Sequence, residues 1–314
     1  MRTIGIAVLA LTAAWPVWAP VRAAPLAGSA VCSSPQTPPA RRLRACSEAM
    51  EHARDALERA QILLFRGSAW LDQGALDAAI ADFDSSIALN ERHAVAYNAR
   101  GVAYFRIGKL DAAVSDYRAA LAIDATYAAA YFNRANALLA QGELELAERD
   151  HGAVIELRPD FARGFAGRGR VRYFQARYWP SYRDLQRAVE LDPHDGYSLL
   201  WAHLALHRLK TEPPEALPLP KAADNAEGWP LILLALLRKE TDFAEVLKIA
   251  NGAAPADRRV RLGEAHYYAG EGADIAGDRE AALRHYRNAL ELGQPGRLEY
   301  IAATLALQDE PAKP

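Results

Sequence analysis

Residues 94–127 read AVAYNARGVAYFRIGKLDAAVSDYRAALAIDATY, and residues 128–161 read AAAYFNRANALLAQGELELAERDHGAVIELRPDF. Laid one above the other, the two 34-residue lines keep their small residues, rings and charges in the same columns. The register continues outward. Gly67, Gly101, Ala135 and Gly169 fall 34 apart, as do Ala79, Ala113, Ala147 and Ser181. Trp70, Tyr104 and Leu138 form a bulky column; Phe83 with Tyr117, and Leu157 with Leu191, form others. A fixed period of this length marks stacked helix-turn-helix units, each too small to bury its apolar face alone. Full repeats are predicted at 60–93, 94–127, 128–161 and 162–195. Turns fall at Gln73-Gly74, Ile107-Gly108 and Gln141-Gly142, with Gly in its usual place after a helix. The second helices stop at Asn90, Asp124, Pro159 and Pro193. Small columns are expected where helices cross closely, since only Gly or Ala lets backbones approach to about 8 Å. The predicted class is all-α: a right-handed superhelix, or α-solenoid.

Two charged columns share the period. Arg66, Arg100, Arg134 and Arg168 lie 34 apart, as do Asp82, Asp116, Asp150 and Asp184. The Arg precedes the small column of the first helix and the Asp precedes the bulky column of the second. The pattern predicts an Arg–Asp ladder between paired helices, with a structural role rather than a ligand-binding one.

These columns resemble the tetratricopeptide repeat, the TPR. Tyr97, Gly101, Tyr104, Ala113, Tyr117 and Ala120 match its pattern in the second repeat, and Phe165, Gly169, Ala188 and Pro193 in the fourth. The N-terminal array is expected to span 47–210, opening with a helix capped by Ser47 that carries Met50, Ala53, Leu57 and Ala60 on one face. A last helix from Tyr197 to Leu209 precedes a Pro-rich linker at 211–225. A C-terminal section then spans 226–308. It holds an apolar stretch from Trp229 to Leu237, an amphipathic segment from Asp242 to Ala250, and a repeat-like unit at 263–294. That unit carries Gly270, Gly277, Ala282, Tyr286, Ala289 and Leu292, but Ala269 and His285 stand where the ladder would be. A capping helix from Leu298 to Leu307 and a tail at 309–314 finish the chain. Ser198-Leu-Leu-Trp201, Gly228-Trp229 to Leu237, Glu264-Ala-His-Tyr-Tyr268 and Gly277-Asp278 resemble the NlpI family of bacterial envelope lipoproteins. That resemblance implies a dimeric scaffold that brings a periplasmic protease and peptidoglycan hydrolases together. The chain departs from it in having no lipid-attachment Cys.

The first 23 residues read as a secretory signal. Arg2 supplies the charge, Ile4 to Trp15 the apolar stretch, and Val21-Arg22-Ala23 a cleavage site after Ala23. A retained N-terminal membrane anchor is the other reading of this stretch. Cleavage would leave 35 basic against 39 acidic residues, a balance that exerts no pull on nucleic acid or membrane. A periplasmic location and no stable lipid anchor are expected. The leader at 24–46 holds Pro35, Pro38 and Pro39 and the only cysteines, Cys32 and Cys46. In an exported protein these are expected to pair, closing a loop worth on the order of 3 kcal/mol in the chain-entropy model.

Catalytic signatures are missing: no Gly-x-Ser-x-Gly, Walker loop, His-Glu-x-x-His or Cys-x-x-Cys occurs. His203 and His207 share a predicted helix face but have no further ligands at hand. No enzyme activity, cofactor or metal is expected. In TPR arrays the first helices line a concave groove, and the resemblance places Asn98, Val102, Phe132, Asn133, Asn136, Arg163, Arg170 and Tyr173 there as exposed contacts for a peptide or protein. Asn133 and Arg163 resemble part of a TPR carboxylate clamp, but Gly167 stands where its second cation belongs and no Lys lies beside Asn98. Between 158 and 187, Arg158, Arg163, Arg168, Arg170, Arg172, Arg177, Arg183 and Arg187 face only Asp160 and Asp184. Arg163, Arg170 and Arg177 are expected toward the groove, and such a patch would attract an acidic partner segment. Nucleic acid is not expected, for want of interleaved aromatics. The sequence thus reads as an exported adaptor or scaffold of the cell envelope, with self-association through the Leu-rich section as a homodimer. The alternative is a structural subunit of a secretion or polysaccharide-export assembly.

Overall fold

A computed structural model describes residues 30–209, 228–293 and 297–308. The signal segment, the linker at 211–225 and the tail at 309–314 lie outside them. The described residues form helices in consecutive packed pairs, the TPR-type α-solenoid arrangement. In chain order they are α1 (Ala30–Ser33), α2 (Pro39–Glu51), α3 (Ala56–Asp72), α4 (Leu76–Leu89), α5 (Ala94–Arg106), α6 (Leu110–Ile123), α7 (Ala128–Ala140) and α8 (Leu144–Leu157). They continue as α9 (Ala162–Phe174), α10 (Tyr178–Leu191), α11 (Gly196–Arg208), α12 (Trp229–Leu237), α13 (Phe243–Gly252), α14 (Pro255–Ile275), α15 (Arg279–Leu292) and α16 (Leu298–Gln308).

The chain divides into two compact units at Gln141–Gly142, inside the third repeat. In the first, Cys32 and Cys46 are disulfide-bonded, and α1 and α2 pack on α3 through Cys32, Cys46, Ile62 and Phe65. Arg42, fully buried, donates to Asp72 at 2.5 Å. The expected start at Ser47 is corrected here. Helix α2 begins at Pro39, where proline's missing N–H removes no helical bond. Ser47 sits inside it, with its hydroxyl turned back to the Leu43 carbonyl. The helix stops at Glu51, and Asp55 caps the separate α3 by accepting from the Glu58 N–H, so Met50, Ala53, Leu57 and Ala60 share no continuous helix.

In the second unit, α11 packs against α12 and α14, and α14 against α15 and α16. These contacts join the C-terminal helices to the fourth repeat. Trp201 of α11 is fully buried at the centre, with the rings of Tyr173, Phe174, Tyr267 and Tyr268 around it at centroid distances of 5.2–6.2 Å.

The glycine column has a sharper cause than close backbones. A Cβ on Gly67 would lie 2.6 Å from the Phe83 ring, on Gly101 2.6 Å from Tyr117, and on Gly270 2.7 Å from Tyr286. In these three pairs the second helix presses a buried ring into the notch left by a glycine of the first; at Gly169 the aliphatic Leu185 does so instead, 2.7 Å from the Cβ position. The ladder is bidentate. Arg66 donates to both Asp82 oxygens at 2.8 and 2.6 Å, Arg100 to Asp116 at 2.8 and 2.7 Å, and Arg168 to Asp184 at 2.8 Å twice. Burial raises Asp116 from its ordinary value, with the Arg100 fork pulling it back. Arg134 and Asp150 belong to different units.

Candidate functional site

The first-helix positions expected to be exposed in a groove are mostly buried, and that expectation is corrected. Asn98, Val102, Phe132, Asn133 and Asn136 expose 0–4% of their surface, and Arg170 and Tyr173 expose 8% and 6%. Only Arg163 of the eight is exposed. The reasons are specific. Asn133 donates to the Asn98 carbonyl oxygen at 3.0 Å, and Asn98 donates to the Tyr127 hydroxyl at 3.4 Å. Both amides are therefore engaged inside the first unit rather than offered to a peptide backbone.

In the second unit the α9 face is covered from within. The Tyr173 hydroxyl donates to Glu271 of α14 and accepts from Arg208 of α11 at 3.1 Å. Arg208 also reaches Glu271 at 2.9 Å and Asp274 at 2.5 Å, and Tyr286 donates to Glu271 at 2.8 Å. A second buried knot centres on Glu264. Trp229 Nε1 donates to it at 2.5 Å, Arg297 at 3.1 Å and the Tyr197 hydroxyl at 3.2 Å. Burial and the neighbouring Glu299 carboxyl push Glu264 upward. Glu299 is pushed up by burial as well, and accepts from Tyr268. Burial draws Arg170 down, opposed by Asp195, Tyr268 and Glu299. A polar group taken from water must be paired or neutral, and this face is a set of internal pairings.

The partial clamp fails for a physical reason. A Cβ on Gly167 would sit 2.3 Å from Cε1 of His151 and 2.6 Å from both ring nitrogens. His151 is fully buried, so no cation fits at 167. Burial, with Arg170 and Arg168 adding, holds the His151 imidazole down at about 3.

His203 and His207 meet on α11 with ring centroids 4.3 Å apart. Among the described residues no cluster of three or more His, Cys, Asp or Glu is placed to hold a metal. His266 and His285 also face each other, Nδ1 to Nδ1 at 3.0 Å, and burial lowers His266 to about 4. The sequence offers no periodic signal for this pair, because His285 sits in a ladder column that it does not serve.

The arginine cluster resolves into separate sets. Arg170 is buried, and exposed Arg177 donates to Glu148 at 2.7 Å. Arg168, Arg172, Arg183 and Arg187 instead converge on one cleft of about 740 Å³ between α9 and α10, with Phe165, Trp179, Pro180, Asp184, Gln186 and Glu190 completing its walls. Arg168 and Arg172 both donate to Asp184, and Arg172 also to Glu148 at 2.8 Å. Arg187 reaches Glu190 at 2.8 Å. Arg183 is exposed. Trp179 stacks on Tyr182 at 5.7 Å and 16°. Reading the sequence for one groove missed Trp179; the signal was its departure from an acidic column.

Comparison with known proteins supports the repeat. The TPR repeat family matches residues 103–142. No curated protein matches the sequence. A tetratricopeptide repeat protein from Parabacteroides merdae is similar at 15% identity, covering 86% of this chain and 92% of its own, with a TM-score of 0.52. Pseudomonas aeruginosa pilF is similar at 18% identity, covering 79% of this chain and 98% of its own, with a TM-score of 0.47. YrrB, described as a TPR protein with an unusual peptide-binding site, is similar at 22% identity, covering 72% and 96%, with a TM-score of 0.39. Residues 103–142 thus match the TPR repeat, and the described helices share its paired arrangement.

Proposed function

We propose that this protein is an exported, non-catalytic TPR adaptor that binds proteins or peptides of the cell envelope. The observation that carries the reading is the run of TPR-type helix pairs, three of them braced by a ring in a glycine notch and three by a bidentate Arg–Asp fork. Such an array holds side chains at fixed spacing over a long surface, which suits equilibrium binding without chemistry. The Cys32–Cys46 bond fits an oxidising compartment. The NlpI-type resemblance extends the proposal to peptidoglycan hydrolases or a periplasmic protease as partners. It also extends it to a homodimer formed through the half-buried Leu231, Ile232, Leu236 and Leu237 of α12.

The test is capture from an envelope fraction with the chain from Ala24 onward, bound proteins being identified by mass spectrometry. Hydrolases or a protease in sub-stoichiometric, reversible complexes are expected. A fixed stoichiometric assembly would replace the adaptor with a structural subunit, and no specific capture would overturn the binding reading. Light scattering on the pure chain decides the homodimer.

A further inference from the structure

The repeats provide an internal control, because each position of the fourth can be compared with three earlier copies. At the position of Trp179 the earlier repeats carry Asp77, Asp111 and Glu145. These acids lie in the first turn of α4, α6 and α8, where the helix dipole favours them. Helix α10 has no acid in its first turn. At Arg172 the earlier copies are Trp70, Tyr104 and Leu138; at Arg187 they are Ser85, Ala119 and Ala153; at Arg183 they are Ala81, Ser115 and Arg149. The changes peculiar to this repeat are therefore Trp179 for an acid, Arg172 for a bulky apolar residue and Arg187 for a small one, while Arg183 is shared with Arg149 of the third repeat. The three altered positions and Arg183 line the same 740 Å³ cleft.

We infer that this cleft, on the α9–α10 face away from Arg170 and Tyr173, binds an extended acidic peptide segment carrying an apolar residue. The inference rests on the protein-binding reading above only in taking the ligand to be a polypeptide. Four arginines against Asp184, Glu190 and the Glu148 partner of Arg172 leave one net positive charge in the walls. Arg168 and Arg172 are held on Asp184, and Arg172 also on Glu148, so both guanidiniums are fixed in the wall. Arg183 is exposed and presents a planar fork suited to a carboxylate, and exposed Arg187, with one nitrogen on Glu190, has its remaining donors for a second. Trp179, Arg183 and Arg187 follow one another at four-residue steps along α10. Four residues of helix advance about 6 Å. Alternate residues of an extended chain advance about 6.6 Å and point to the same side. A segment of pattern apolar-x-acid-x-acid, in either chain direction, therefore matches the helix step for step: its apolar side chain lies on Trp179 and its carboxylates on the two forks. A single phosphate would leave Trp179 and most of the cleft unused.

The experiment is fluorescence anisotropy of the full mature chain with a labelled Phe-Ser-Glu-Ser-Glu peptide, its reversed order, and the forms with Gln for Glu. Binding of at least one acidic order is expected, with the Gln form about tenfold weaker or more. The Arg183→Glu, Arg187→Glu variant should lose about tenfold or more, and Trp179→Ala several-fold. Arg118→Glu, two repeats earlier on exposed α6 surface, should bind like wild type. Arg183→Gln, in which the fork is lost without a reversed charge, should weaken binding with an unchanged thermal midpoint. Equal binding of Glu and Gln peptides, or wild-type binding by the charge-reversed variant, overturns the inference. So does Arg183-dependent binding of inorganic phosphate or anionic phospholipid vesicles without peptide binding. If the charge-reversed variant still captures every envelope partner and wild type binds no acidic peptide, the cleft fails while the adaptor reading stands. If wild type captures nothing, the adaptor reading fails whatever the peptide does.

Discussion

The collision at Gly167 makes a quantitative prediction. Gly167 and Gly152 lie in neighbouring helices, α9 and α8, of the same unit. A methyl group at 152 meets nothing within 4 Å, whereas at 167 it meets the His151 ring at 2.3 Å. In a helix interior, Ala is favoured over Gly by about 1 kcal/mol. Gly152→Ala should therefore stabilise the unit by up to about 1 kcal/mol. Gly167→Ala starts with the same gain, but the ring must retreat by about 1 Å to reach the ~3.5 Å of ordinary carbon contact. His151 has no exposed side to move toward. Overpacking of this kind costs about 1–3 kcal/mol, so Gly167→Ala should end between neutral and about 2 kcal/mol destabilised. Urea unfolding, with hydrogen exchange across α8 to α10 to localise the loss, measures both. In a His151→Ala background the penalty should vanish and Gly167→Ala should become stabilising. If Gly167→Ala stabilises as much as Gly152→Ala, or keeps its penalty without the His151 ring, the notch argument is wrong. By the same reasoning, Gly167→Lys, which supplies the cation a clamp would need, should unfold the site rather than create one.

Other outcomes follow from single observations. Ala176 has φ 56° in the turn where equivalent positions hold Gly74, Gly108 and Gly142 at φ 78–81°, so Ala176→Gly should stabilise by about 1 kcal/mol in urea titrations. Reducing Cys32–Cys46 should destabilise α1 and α2 by about 3 kcal/mol, seen as faster amide exchange in α2 with α5 and α6 unchanged. His151 is held near 3 when folded, against about 6.5 when unfolded, so the unfolded chain takes up its proton first as pH falls. The stability it contributes is complete above about pH 6.5 and is lost by about 1.4 kcal/mol per pH unit down toward pH 3. The stability difference between wild type and His151→Leu should therefore shift by about 2 kcal/mol between pH 6.5 and 5, the buried Glu264 and Glu299 cancelling in the comparison. A pH-independent difference would show that His151 protonates freely in the fold.

The array was legible because a repeat states each position several times. The turn glycines, the ring columns and the Arg–Asp forks could be read as columns before any coordinates. The fate of the first-helix faces could not. Tyr173 finds Glu271 at a separation of 98 residues and Tyr197 finds Glu264 at 67. Periodicity carries no information about which later helix returns to cover which earlier face. A trace was present in α14, where Glu264 and Glu271 stand among Ala, Gly and Tyr. A carboxylate in such company is either exposed or paired inside, and only packing decides between them. The start of α2 was lost to a competing rule: Ser47 is a good cap in the abstract, but Pro39 fixes the first turn eight residues earlier.

The fourth repeat separates drift from function. A repeat that drifts neutrally should change where change is cheap and should lose little fit with its own helix. Trp179 gives up a favourable first-turn acid, and its ring remains half-exposed against Tyr182. Arg183 stands where the first two repeats hold small residues and the third holds Arg149, and its side chain is exposed. Returning these positions to the repeat average, as Trp179→Asp, Arg183→Ala and Arg187→Ala together, restores a dipole contribution of about 0.3–1 kcal/mol and removes a ring stack of about 0.5–1.5 kcal/mol. The sum is near zero. The triple variant should thus unfold within about 1 kcal/mol of wild type, yet fail to hold the acidic peptide. Substitutions nearly neutral for the fold but decisive for a ligand mark a surface kept for its partner. If the triple variant instead loses several kcal/mol, the cleft residues serve the packing of α10, and their convergence is a property of the fold alone.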